Sequence, residues 1–163
     1  MKIYIGSDHT GFELKEKIKK YLSDLGLGYE LEDKGAFTYN KDDDYPDFIR
    51  PVAEAVTSEK ESFGIILGGS GQGEAMCANK TKGIRAAVFY GQKEALGEVD
   101  ISGKKSSDTF EIVELEREHN NANILSIGVR FVTEDEAKFA CELFLRTKFS
   151  GEERHIRRIN KIE

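Results

Sequence analysis

A run of glycines ending on a carboxylate, Gly68-Gly69-Ser70-Gly71-Gln72-Gly73-Glu74, carries the clearest chemical signal in the chain. Glycines at a strand-to-helix junction leave main-chain N–H groups free to face an anion or a developing oxyanion. A carboxylate in the first turn of the following helix sits beside those donors. A base next to an oxyanion-stabilising loop is what enolisation requires. The run lacks the Gly-Lys-Ser/Thr of a P-loop and the third glycine of the dinucleotide fingerprint, so neither nucleotide reading is supported. No Gly-x-Ser-x-Gly elbow and no cluster with zinc spacing occurs, so no metal is invoked. Taken alone, Glu74 also fits a plainer role, a carboxylate that stabilises a helix N-terminus by ~0.3–1 kcal/mol. That role leaves the surrounding glycines unexplained.

Three further groups hold reactive or charged side chains. Gly6-Ser7-Asp8-His9-Thr10-Gly11 sets an acid and an imidazole between glycines. It fits a substrate-binding loop, and equally a turn in which Asp8 caps the next helix. Arg117-Glu118-His119-Asn120-Asn121 contains one of only three histidines. An imidazole passes protons near neutral pH; His119 and Asn120 would also serve to cap a helix end. Arg130, Arg154 and Arg158 offer forked donors suited to a phosphate, and the last two, four residues apart, share one helix face. A solvated charge run is the plainer account of that tail.

Alternating elements must position these groups. Ile3 to Gly6 reads as a strand, and Phe12 to Leu25 as an amphipathic helix closed by Gly26. Tyr29 to Leu31 reads as a short strand, Asp47 to Ser58 as a helix, and Phe63 to Leu67 as a buried central strand. A helix from Glu74 to Lys80, a strand from Ile84 to Tyr90 and a strand from Ile124 to Gly128 follow. Thr133-Glu134-Asp135-Glu136 is a capping box opening a helix to about Thr147. Asp42-Asp43-Asp44 reads as a solvated acidic loop. The polar stretch from Gln92 to about Asp108, extending toward Glu116, reads as a long loop, and the basic tail 151–163 as a short helix. Five strands alternating with helices predict an α/β fold, a doubly wound five-stranded parallel sheet in a single domain over 1–163, with chemistry at the carboxyl edge near a topological switch point.

Composition narrows the function classes. A net charge of −6 argues against a nucleic-acid surface. No apolar run approaches the ~20 residues of a membrane span, and Met1-Lys2-Ile3-Tyr4-Ile5 is too short an apolar core for a signal peptide. Cys77 and Cys141 sit in apolar helical contexts and read as buried thiols of a reducing compartment, so a cytoplasmic protein is expected.

In their order and spacing, Gly6-Ser7-Asp8-His9-x-Gly11-Phe12-x-Leu14-Lys15, Asp44-Tyr45-Pro46, Gly69-Ser70-Gly71-x-Gly73 with Ala78-Asn79-Lys80, Gly83-Ile84-Arg85-Ala86 and His119-Asn120-x-Ala122-Asn123 resemble the ribose-5-phosphate isomerase type B family. That family also contains the galactose-6-phosphate isomerase subunits, and the resemblance covers nearly the whole chain. It implies a flavodoxin-like α/β sandwich, assembled as a homodimer or homotetramer with sites shared between subunits. It implies cofactor-free, metal-independent aldose–ketose isomerisation, ribose 5-phosphate to ribulose 5-phosphate, through a cis-enediolate. Many members place a cysteine base at the end of the third strand. That position is Gly68 here, and the chain matches the branch with a glutamate base, Glu74. The resemblance further implies that Asp8 and His9 contact the sugar and Tyr45 lines the pocket. Gly69, Ser70, Gly71, Gln72 and Gly73 would hold the enediolate oxygen. His119 would open the furanose ring beside Asn120, and Arg130, Arg154 and Arg158 would hold the phosphate, partly across the dimer interface. The chain departs from the family between Gln92 and Glu116, where the family connection is shorter. Another phosphorylated aldose (allose, galactose or a tetrose) needs only a different pocket size. A non-catalytic sugar-phosphate sensor would keep the loop and arginines but give Glu74 and His119 no duty.

Overall fold

The computed structural model describes residues 1–163. Its strands are β1 (Lys2–Ser7), β2 (Glu30–Asp33), β3 (Phe63–Gly68), β4 (Ala86–Phe89) and β5 (Ile124–Gly128). Its helices are α1 (Phe12–Asp24), α2 (Pro46–Ser58), α3 (Gln72–Ala78), α4 (Glu111–Asn120), α5 (Glu134–Arg146) and α6 (Glu153–Ile159). All neighbouring strands are parallel, in the order β2-β1-β3-β5-β4. The doubly wound five-stranded sheet is the one the sequence predicts. Its last two strands are exchanged relative to the simple 2-1-3-4-5 order, so β5 flanks β3 and β4 forms the edge.

Alternation along the strands divides the core. Ile3, Ile5, Ile65, Leu67, Leu125 and Ile127 face α1, α4 and α5, whereas Tyr4, Ile66 and Ile124 face α2 and α3. Side chains on successive strand residues point to opposite faces, so strands covered on both faces must be apolar throughout. Each fully buried Ile or Leu contributes ~1.5–3 kcal/mol relative to exposure. The capping box forms as expected, with Thr133 Oγ1 accepting from Glu136 N and Glu136 accepting from Thr133 N.

Three readings change. The polar stretch does not run as a loop to Glu116, because α4 begins at Glu111. Helix-favouring glutamates in its first turn and a buried Val113 outweigh the polarity that masked it. The preceding segment is also less featureless than it reads. Glu98 pairs with Lys105, Val99 N donates to Lys104 O at 2.8 Å, and the Asp100 carboxylate closes the tip by accepting from Ser102 N at 2.7 Å. Cys141 is buried as expected, while Cys77 is only half-buried.

Candidate active site

The loops after β1 and β3 leave the sheet side by side, where the strand order reverses. Gly71 is the N-cap of α3 with φ +74°, and a Cβ there would press on the main chain of β5. That left-handed turn needs glycine. It directs Glu74, the third residue of α3, back over the end of β3. The carboxyl group lies where a side chain on Gly68 would begin. The space over Gly68 is therefore filled by a carboxylate reaching over from the helix. Only glycine at 68 leaves room for it.

Glu74 is 5% exposed, and its Oε2 has no hydrogen-bond partner. Burial pushes its carboxyl above the ordinary carboxylate range, and the nearby Asp8 adds to this. The N–H groups of Glu74 and Gly71 and the charge of Arg130 pull the other way. Burial prevails, so the carboxyl holds its proton more tightly than an ordinary glutamate does.

Other candidate residues gather around Glu74 at this edge. Asp8 is buried, and its Oδ1 accepts from Thr10 N at 2.9 Å and Gly11 N at 3.3 Å. It therefore does close a turn into α1, while its charge faces Glu74. His9 Nδ1 lies 2.6 Å from Asp43 Oδ1, which also accepts from His9 N at 3.0 Å. Asp43 raises the imidazole's proton affinity, and the charge of Asp8 adds to this. The expectation of a solvated acidic loop fails at this residue. The Asp43 side chain is 8% exposed, because the loop folds inward onto His9. No local spacing in the sequence pairs positions 9 and 43, so this partner was illegible there. The Tyr45 ring packs against Gly73, and the Arg130 guanidinium lies over Gly69 without an ion-pair partner. Ser70 and Gln72 are exposed at the mouth, with Ser70 Oγ accepting from Gln72 N at 3.3 Å.

Asp8, His9 and Asp43 are also the one group whose ligand atoms, all within 4.8 Å of one another, could hold a cation. Asp43 Oδ1 and Asp8 Oδ1 are engaged by the chain's own N–H groups. A buried ion pair supports this corner. Lys15, fully buried, donates to Asp33 at 2.7 and 2.8 Å and to Ala36 O at 2.7 Å. The loop it holds bonds to both main-chain groups of Ser7.

The remaining site residues lie elsewhere. Helix α4 runs from the carboxyl edge down to Asn120, with three residues between it and the start of β5 at the amino edge. His119 and Asn120 are therefore separated from Glu74 by the length of β5, roughly 13 Å for its strand rise. Asn120 lines a cavity of about 380 Å³ with Asn79, Arg85, Ala86 and Ile162, and its Nδ2 donates to Leu115 O at 3.3 Å, the capping role also open to it. His119 stacks on His155 of α6, with ring centroids 4.2 Å apart. Arg154 and Arg158 do share the helical segment α6; Arg154 pairs with Glu152 at 2.7 Å, and Arg158 has no ion-pair partner. A single chain thus unites Asp8, His9, Tyr45, the glycine loop, Glu74 and Arg130 at one edge. It unites His119, Asn120, Arg154 and Arg158 at the other.

Residues 3–100 and 106–162 match the family described as Ribose/Galactose Isomerase, the internal gap falling at the tip of the long connection. A ribose-5-phosphate isomerase B from Mycolicibacterium paratuberculosis is 40% identical over 160 residues, 98% of this chain and 88% of the relative. A crystal structure of ribose-5-phosphate isomerase B from Mycoplasma genitalium with bound ribulose-5-phosphate superposes with a TM-score of 0.82 at 35% identity, covering 99% of this chain and 93% of that one. The enzyme from Clostridium thermocellum gives a TM-score of 0.82 at 40% identity, covering 99% and 95%. Matched along nearly its whole length in both sequence and fold, the chain belongs to the ribose/galactose isomerase family.

Proposed function

We propose that this protein interconverts ribose 5-phosphate and ribulose 5-phosphate, with Glu74 as the base, at a site completed by a second copy of the chain. The buried Glu74 carboxyl seated over Gly68, beside the N–H groups of the loop, carries the reading. His119 from the second copy protonates the ring oxygen as Asp8 takes the anomeric hydroxyl proton, and the ring carbon–oxygen bond breaks. Glu74 removes the proton from C2 of the open aldose, and charge builds on the carbonyl oxygen over the loop. One such donor is worth ~3–4 kcal/mol of barrier. Glu74 delivers the proton to C1, while the hydroxyl proton passes from O2 to O1. Arg130, with Arg154 and Arg158 from the second copy, holds the phosphate and orients the reacting end.

The arrangement of the half-sites supports the second copy. A two-fold axis beside β4 and α3, perpendicular to the strands, sets the carboxyl edge of one chain against the amino edge of the other and completes two identical sites. Apolar side chains stand ready along that border: Ala86, Ala87 and Val88 are half-buried, while Met76 and Ile162 are 65% and 68% exposed. No helix is long and apolar enough to cross a membrane. The two free thiols fit a reducing compartment such as the cytoplasm.

The test is ribose 5-phosphate turnover in deuterated water. Wild type is expected to turn over; Glu74→Gln should lose 10²–10⁴-fold in kcat, as for loss of a positioned base, with KM within a few-fold. Near-normal turnover in the variant would remove Glu74 as the base. Binding without turnover or deuterium exchange in wild type would mark a sensor instead.

A further inference from the structure

The mechanism assigns a role to His119 but none to the ring beneath it. His155 is 3% exposed, and its imidazole planes onto that of His119, with centroids 4.2 Å apart and planes 13° from parallel. Its Nε2 is buried without a hydrogen-bond partner. A histidine retained for hydrogen bonding would have its nitrogens satisfied. Here the face of the ring is used and the edge is not. His155 is held by its own helix, with His155 N donating to Glu152 O at 2.9 Å, so the platform is fixed from below.

We propose that His155 is a positioning residue for His119, a buried aromatic platform that fixes the plane of the imidazole that opens the sugar ring. The inference rests on the ring-opening role given to His119 above. The charges around His155 fit a neutral platform. Burial holds its proton affinity below the ordinary imidazole value, and His119 of α4 together with Arg154 and Arg158 of its own helix does the same; Glu152 alone opposes them. Two imidazolium rings stacked this closely would repel, and burial keeps His155 the neutral ring of the pair, so the platform does not compete for a proton.

Ribulose 5-phosphate supplies the discriminating measurement. Its C5 oxygen is phosphorylated, so no hydroxyl can close a furanose, and exchange of its C1 hydrogen with deuterated water needs enolisation alone. Turnover of ribose 5-phosphate needs ring opening as well. In His155→Ala, kcat on ribose 5-phosphate should fall about tenfold or more, the scale of a misaligned catalytic group. Exchange into ribulose 5-phosphate and KM should stay within about threefold of wild type. His155→Phe keeps a flat ring at the same place, so it should stay within about threefold of wild type in both reactions. Equal loss of both reactions in His155→Ala, or a Phe variant as slow on ribose 5-phosphate as the Ala variant, would overturn the platform. Absence of both reactions in wild type would instead overturn the isomerase reading beneath it.

Discussion

On the proposed mechanism, the carboxyl and amino edges of the sheet serve different stages of one reaction. At the carboxyl edge a glycine loop, a left-handed turn and the first turn of α3 place Glu74 in a dry position over Gly68. That half is preorganised by main-chain geometry and made by contiguous residues. At the amino edge His119, Arg154 and Arg158 sit on the ends of α4 and α6, tied to each other by a ring stack. On the proposed mechanism the proton-abstracting groups, with Asp8 and Arg130, lie together in one chain, and His119, Arg154 and Arg158 are displaced from them by the length of a strand. Two copies of one fold can restore both, because a two-fold axis exchanges the edges.

The difference can be sharpened from the carboxyl edge first. Gly68→Ala places a methyl where the Glu74 carboxyl lies, so it should cost about 10²-fold in kcat, as a misplaced catalytic group does, while the chain folds and binds substrate. Normal kcat in this variant would mean that the carboxylate does not act from that position. Asp43→Asn should act on binding and through pH. Asp43 raises the proton affinity of His9. Without it the imidazole returns toward its ordinary pKa of 6.5 and loses its charge as pH rises past that value. The KM ratio of variant to wild type for ribose 5-phosphate should be near one at acid pH and grow roughly fivefold as pH rises past 6.5, where only the variant has lost the charged contact. A KM ratio independent of pH would show that Asp43 does not act through His9.

The smallest expected effect lies away from both half-sites. Glu116 is 6% exposed, its Oε2 has no partner, and burial pushes its pKa up to about 8. In the unfolded chain it ionises near 4.5, whereas the folded chain holds the proton up to about 8. The folded state binds more protons across that window, so stability falls as pH rises through it. Glu116→Gln stays neutral in both states. Its melting temperature should therefore gain on wild type by a few degrees between pH 5 and pH 8, with turnover unchanged. A constant difference across that range would contradict the buried, protonated carboxyl.

Much of the carboxyl edge was legible in the sequence, because its signals are local. A buried strand, a glycine loop and a carboxylate three residues into a helix occupy consecutive positions, and their geometry follows from spacing. The capping box at Thr133 and the strand Ile124–Gly128 were legible for the same reason. Three features were not. The pairing of His9 with Asp43 spans 34 positions and depends on how a loop folds back. Helix α4 was hidden by the polar stretch before it, since its stability comes from packing against β4 and α5 more than from its own pattern. The placement of His119 at the edge opposite Glu74 follows from strand polarity, because α4 ends just before the amino end of β5, whereas the glycine loop follows the carboxyl end of β3. The sequence shows which residues carry chemistry more readily than which of them meet.

The central claim, that Glu74 of one copy works with His119 of another, is tested most directly by mixing two impaired variants. Glu74→Gln and His119→Ala chains, unfolded and refolded together, should form hybrids in half of the pairs. Each hybrid has one site with both residues intact, so activity should recover to about a quarter of wild type, as isologous pairing dictates. Recovery to that level in the mixture, with neither variant active alone, is the predicted result. A mixture no more active than the separately refolded variants would contradict the shared site.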